Sequence, residues 1–140
     1  MFSHLIVIIE VPADAPTTVE MALAVGGDGL RSVTLLGVAE PATPLAGAFA
    51  LMPVDEVHDA LLDACVKEAN QLPSRVAVRH EIVTARLDRA VLRATCRGAY
   101  DLVVVGRPPF AGLMGYPRSR RLARLLRQCP VPIICVPVGP

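Results

Sequence analysis

The sequence predicts an α/β fold: one domain over residues 1–140, in which parallel strands form a doubly wound sheet with helices on its faces. Three observations carry that expectation. Short apolar runs rich in β-branched residues recur five times, with the composition of strands buried on both faces of a sheet. Four stretches with apolar residues at helical spacing separate them, and the two patterns alternate strictly. At 140 residues the chain suits one domain large enough to bury a core.

The first strand is Leu5 to Ile9, apolar throughout and therefore central. A turn with Pro12, Pro16 and two acids follows, and Thr17 or Thr18 is positioned to cap a helix whose Val19, Ala22, Leu23 and Val25 face inward. Gly26 and Gly27 end it. Ser32 to Val38 is the second strand. Residues 41–54 carry Leu45, Phe49, Leu51 and Met52 without an intervening charge, an unusual composition for a loop. Asp55 is the expected cap of a second helix with the stripe Val57, Leu61, Leu62, Cys65, Val66 and Ala69, which Pro73 closes. Arg75 to Ala85 alternates with a period of two, which suits a strand with one wet face near a sheet edge. Asp88 is the expected cap of a third helix with Val91, Leu92 and Thr95 inward, Arg89, Arg93 and Arg97 stacked four apart, and Gly98 as its stop. Asp101 to Gly106 is the fourth strand. Ser119 to Cys129 is the fourth helix, and Val131 to Val138 the last strand.

Composition narrows the function. No apolar run reaches the length of a membrane span, and Met1 to Glu10 lacks the basic flank of a signal peptide, so a cytoplasmic protein is expected. Cys65, Cys96, Cys129 and Cys135 form no Cys-x-x-Cys pair and fall at apolar positions, as reduced core residues do. His4, His58 and His80 are scattered singly, so no metal site is expected. Charge is polarised. Residues 1–74 hold two basic and ten acidic side chains and residues 75–140 twelve basic and three acidic ones, a swing from −8 to +9.

The segments Asp101-Leu-Val-Val-Val-Gly106 and Leu125-Leu-Arg-Gln-Cys-Pro-Val-Pro-Ile-Ile-Cys-Val-Pro137, with the strand and helix spacing upstream, resemble the universal stress protein family over nearly the whole chain. The resemblance implies a Rossmann-like sheet of order 3-2-1-4-5 and a homodimer paired through the last strand, at Val131, Ile133, Ile134, Cys135 and Val136. With that order, right-handed crossovers put two helices on each face, the acidic half of the chain over one side and the arginine-rich half over the other.

Ligands of such sheets sit beyond the carboxyl ends of the strands where the order reverses, between strands one and four. Nucleotide-binding members of the family carry, after strand four, a loop patterned Gly, two residues, Gly, nine residues, Gly, Ser or Thr. Here those positions are Gly106, Pro109, Ser119 and Arg120. Pro109 has no N–H and a fixed φ, so it cannot cradle a phosphate as glycine does. Arg107, Arg118, Arg120 and Arg121 offer charge in place of backbone amides. The acid that the family places after strand one is Glu10 by strand register or Asp14 by counting back from the first helix, and Val38 matches the position where the backbone meets adenine. Phe49, Leu51, Met52, Phe110, Leu113, Met114 and Tyr116 would give the cleft an apolar rim, packed together as a plug or closing over an apolar ligand.

Two functional expectations follow. One is a cytoplasmic, dimeric regulatory module that contacts protein partners, does not hold ATP strongly and has no resident cofactor. The other is an ATP-binding member that uses arginines in place of loop glycines. No nucleophile-base pattern suggests an enzyme. The arginine-rich face, with Arg89, Arg93, Arg97, Arg121 and Arg124, lacks interleaved aromatics and so suits a solvated surface better than a nucleic-acid interface.

Overall fold

The computed structural model describes residues 2–40, 54–107 and 123–137. In chain order these form β1 (His4–Ile9), α1 (Ala15–Gly26), β2 (Ser32–Ala39), α2 (Val54–Gln71), β3 (Ala77–Thr84), α3 (Leu87–Arg97), β4 (Leu102–Arg107), helical residues 123–128 (α4) and β5 (Ile133–Pro137). The strands pair in parallel in the order β3-β2-β1-β4-β5. β1 is the hub. Its residues Leu5 to Ile8 pair with β2 on one side and β4 on the other.

Alternation along β1 divides the core in two. Leu5, Val7 and Ile9 face α1 and α2, in one cluster with Val19, Ala22, Leu61 and Cys65. Ile6 and Ile8 face the opposite side, with Ala90 and Val91 of α3 and Leu125 of α4. This is the side assignment that right-handed crossovers require. The helices of the acidic half therefore cover one face, and those of the arginine-rich half the other.

The two helical layers stand at different depths. Gly37 in β2 faces α2, and a Cβ there would lie 2.5 Å from Ile82 Cδ1 and 3.4 Å from Leu61 Cβ, so the bare Cα makes room for the Ile82 side chain of β3 beneath α2. On the other face α3 approaches the sheet less closely than α2 does.

Helix starts depart from the sequence expectations, each for a local reason. A 3-10 turn, Pro12–Asp14, runs directly into α1 at Ala15, with proline in the opening turn where a missing N–H costs nothing. Thr17 and Thr18 are therefore inside the helix. Thr18 is buried, and its Oγ1 donates to the Asp14 carbonyl at 2.8 Å. Asp55 is the second residue of α2, where its charge complements the helix dipole without capping. Val66 lies one position off the inward row and is 39% exposed, while Glu68 on that row is buried. Asp88 does not cap α3 either. It is buried one residue inside the helix, with its Oδ2 3.0 Å from Arg86 Nη2.

At the amino ends of the strands, the Asp101 carboxylate accepts the backbone N–H groups of Ser3 at 2.6 Å and His4 at 3.0 Å, tying the start of β4 to that of β1. These two donors, Ser3 first, hold its carboxyl below the usual carboxylate range. Cys65 is fully buried, and burial pushes its thiol up to about 11. Cys96 contradicts the core expectation: it is exposed, because it falls on the outer side of α3. Among the described residues no helix is long and apolar enough to cross a membrane.

Candidate ligand cleft at the carboxyl ends of β1 and β4

The helix that follows β1 lies on one face of the sheet, and the helices that flank β4 in sequence, α3 and α4, lie on the other, so the strand order reverses between β1 and β4. The last paired row of these two strands is Ile8 with Val105. Two residues further along each chain segment come Glu10, in the bend after β1, and Arg107, the last residue of β4. On the other side Ile9 pairs with Gly37, the residue before Val38. Gly106 and Arg107 pair with Val136 and Pro137 of β5. Register thus places Val38, Gly106 and Arg107 at one end of the sheet, and Glu10 and Asp14 follow β1 in the connection to α1 at that end.

They are not equivalent. Val38 is 2% exposed, and its side chain belongs to the core cluster on the α3 side, so only its backbone can serve a ligand. Glu10 and Gly106 are half-buried at the lip. Asp14 is half-buried at the entry to α1, where its N–H donates to the Val11 carbonyl at 3.0 Å. Both candidate acids therefore lie at the ligand end of the sheet, Glu10 directly above β1 and Asp14 at the helix start. Ser119 and Arg120, together with Pro109 and the apolar rim expected from 41–53 and 108–116, lie outside the described residues.

One connection at this end was invisible in the sequence. Glu40 Oε1 accepts the Leu87 N–H at 2.9 Å, so the residue after β2 closes the amino terminus of α3. A cap supplied from 47 residues away leaves no local signature, and the Asp88 that looks like a cap is occupied by Arg86. Among the described residues no three His, Cys, Asp or Glu side chains are grouped to hold a metal ion.

A family model described as the universal stress protein family matches residues 1–137. The chain belongs to that family. Solved universal stress proteins share its fold at low sequence identity. One from Burkholderia pseudomallei is 19% identical with a TM-score of 0.69, covering 97% of this chain and 96% of its own. UspA of Lactobacillus plantarum is 15% identical with a TM-score of 0.67, covering 96% and 97%. An Arabidopsis thaliana member solved with AMP bound is 16% identical with a TM-score of 0.62, covering 98% and 92%. No curated protein sequence matches the chain.

Proposed function

We propose that this universal stress protein is a cytoplasmic, non-catalytic regulatory module that dimerises through β5, contacts protein partners and does not hold ATP strongly. The observation that carries the proposal is the segment following β4. A triphosphate needs several backbone N–H groups converging on its oxygens. Here Gly106-Arg107 is followed by Pro108-Pro109, two residues with no N–H to give. The scaffold around it is retained: the strand ends, two candidate acids and the half-buried Gly106 occupy the switch point.

Dimerisation is supported by the edge position of β5, which pairs with β4 and with no other strand among the described residues. The side chains expected at this interface face the protein's own core: Val136 is buried, and Val131, Ile133, Ile134 and Cys135 pack against the two clusters. Val131 also precedes the strand proper. Pairing would therefore run through backbone groups. The Pro132 carbonyl accepts the Val103 N–H at 2.9 Å, so by alternation the N–H of Ile133 turns away from β4 toward the open edge.

The second function, an adenine-nucleotide binder using Arg107, Arg118, Arg120 and Arg121, draws its support from the relative solved with AMP. Calorimetric titration with ATP and AMP separates the two. Under the proposed function ATP gives no saturable heat below about 1 mM, whereas a micromolar Kd would establish the second.

A further inference from the structure

The space under α3 is a groove on the opposite side of the sheet from α1 and α2, separate from the cleft at the strand ends. It has a volume of about 730 Å³, within the range of small-molecule sites. Its floor has an apolar patch, made by Ile6 of β1, Leu36 of β2 and Val83 of β3, beside the polar Thr34 of β2. Tyr100 closes one end, its ring packed on the bare Cα of Gly98 and its hydroxyl donating to Thr34 Oγ1 at 3.1 Å. Thr84 to Arg86 close the other end.

The rim is cationic. Arg86, Arg89, Arg93 and Arg97 project along one side of α3, and Arg79 stands across from them on β3. Glu81 is the one acid lining the groove among the described residues. Asp88 engages Arg86 from behind, but no described acid pairs with Arg79, Arg89, Arg93 or Arg97. Between the arginines, Ala90 and Ala94 present only methyl groups, which leaves the helix wall low. From Arg86 to Arg97 the helix rises about 16 Å at about 1.5 Å per residue, and from Arg79 to Thr84 the strand runs a matching length at about 3.3 Å per residue.

An apolar trough bordered by guanidinium groups selects two features in one molecule. The apolar patch of the floor favours a ligand with an apolar body, and the rim repels cations while offering planar, two-pronged donors to acidic groups. We infer that the groove between α3 and the β2–β3 sheet face binds a small elongated organic anion with two or more carboxylate or phosphate groups on an apolar or planar body. The face expected from sequence to be a solvated helical surface is then a lined site. A nucleic-acid surface fits less well, since the charges surround a concavity and its one aromatic among the described residues, Tyr100, is tied down by Thr34.

The test uses the full chain and bis-ANS, a probe with two sulfonates on aromatic bodies, followed by fluorescence titration. Saturable binding of one probe per chain is expected. Arg89→Gln combined with Arg93→Gln should weaken it at least ten-fold, and Ala94→Leu, which keeps every charge but fills the trough, should do the same. Both variants should retain the circular dichroism of the parent. Two results would overturn the inference: probe affinity unchanged in either variant, or a single-stranded DNA 20-mer that binds more tightly than the probe and is indifferent to Ala94→Leu. The second outcome would mark a charged surface for a polyanion instead of a small-molecule site.

Discussion

Replacing Glu40 with Ala removes the acceptor that closes the amino terminus of α3. The bond to the Leu87 N–H is 2.9 Å long, and loss of an N-terminal cap typically costs about 1 kcal/mol. The carboxylate at the positive end of the helix dipole adds about 0.3–1 kcal/mol. Glu40 is exposed, so solvent screens that second contribution and the expected total stays near 1 kcal/mol. For a domain of this size that corresponds to about 3–4 °C in Tm. Glu40→Gln keeps an acceptor without the charge and should lose less than half as much. Urea denaturation measures the global loss, and amide hydrogen exchange at Leu87 reads the cap itself, with protection falling about five-fold for 1 kcal/mol. Asp88→Ala is the counter-test. It strips Arg86 of its acid and lowers stability, yet should leave Leu87 no less protected than its helical neighbours. If Leu87 exchange responds to Asp88→Ala more than to Glu40→Ala, the assignment of the cap across the chain is wrong.

Three further outcomes follow from the structure. The folded-state pKa of Asp101 is depressed, so its contribution is present above the unfolded carboxylate value of about 3.9 and is lost as pH falls through the lower folded value; the gap in Tm between the parent and Asp101→Asn should hold at neutral pH and close in acid, and a gap that widens in acid would reverse the argument. With its thiol raised to about 11 and its side chain fully buried, Cys65 should stay unlabelled by a disulfide-exchange reagent at pH 8 while exposed Cys96 reacts promptly; equal labelling of Cys65 in the native protein would contradict its burial. Ile133→Pro removes a backbone donor on the open edge of β5 without touching the ladder to β4, so sedimentation should show the parent at twice the chain mass and the variant at one, and a variant that keeps the parent's mass would rule out pairing through that edge.

Much of the fold was legible because each strand is a continuous apolar run. Leu5 to Ile9 and Leu102 to Val105 are buried on both faces, and a run of that kind has few other places to go. The wet alternation of β3 was legible for the opposite reason: Val78 and Ile82 pack on one face, while Arg79 and Glu81 stay exposed on the other. Helix starts were not legible, since Asp55, Thr18 and Asp88 have the chemistry of caps but lie inside helices, and the working cap of α3 is brought by tertiary structure. The candidate cleft was half legible. Strand register places Val38, Gly106 and Arg107 at the carboxyl ends, and the core burial of the Val38 side chain is what its place in an apolar strand leads one to expect, whereas the positions of Glu10 and Asp14 beyond β1 depend on the turn. The arginine groove was missed because helical spacing shows that Arg89, Arg93 and Arg97 share a side of α3, while the empty depth beneath them depends on how far the helix stands from the sheet.

The proposal that ATP is not held strongly rests on the missing N–H groups of Pro108 and Pro109 after Gly106. Its most direct test compares the ATP affinity of the parent with that of a triple variant, Pro109→Gly, Ser119→Gly and Arg120→Ser, which writes the glycine pattern back after Gly106. The parent should show no measurable binding below about 1 mM, and the variant a gain of at least ten-fold, about 1.4 kcal/mol. Micromolar ATP binding by the parent, unchanged or weakened in the variant, would contradict it.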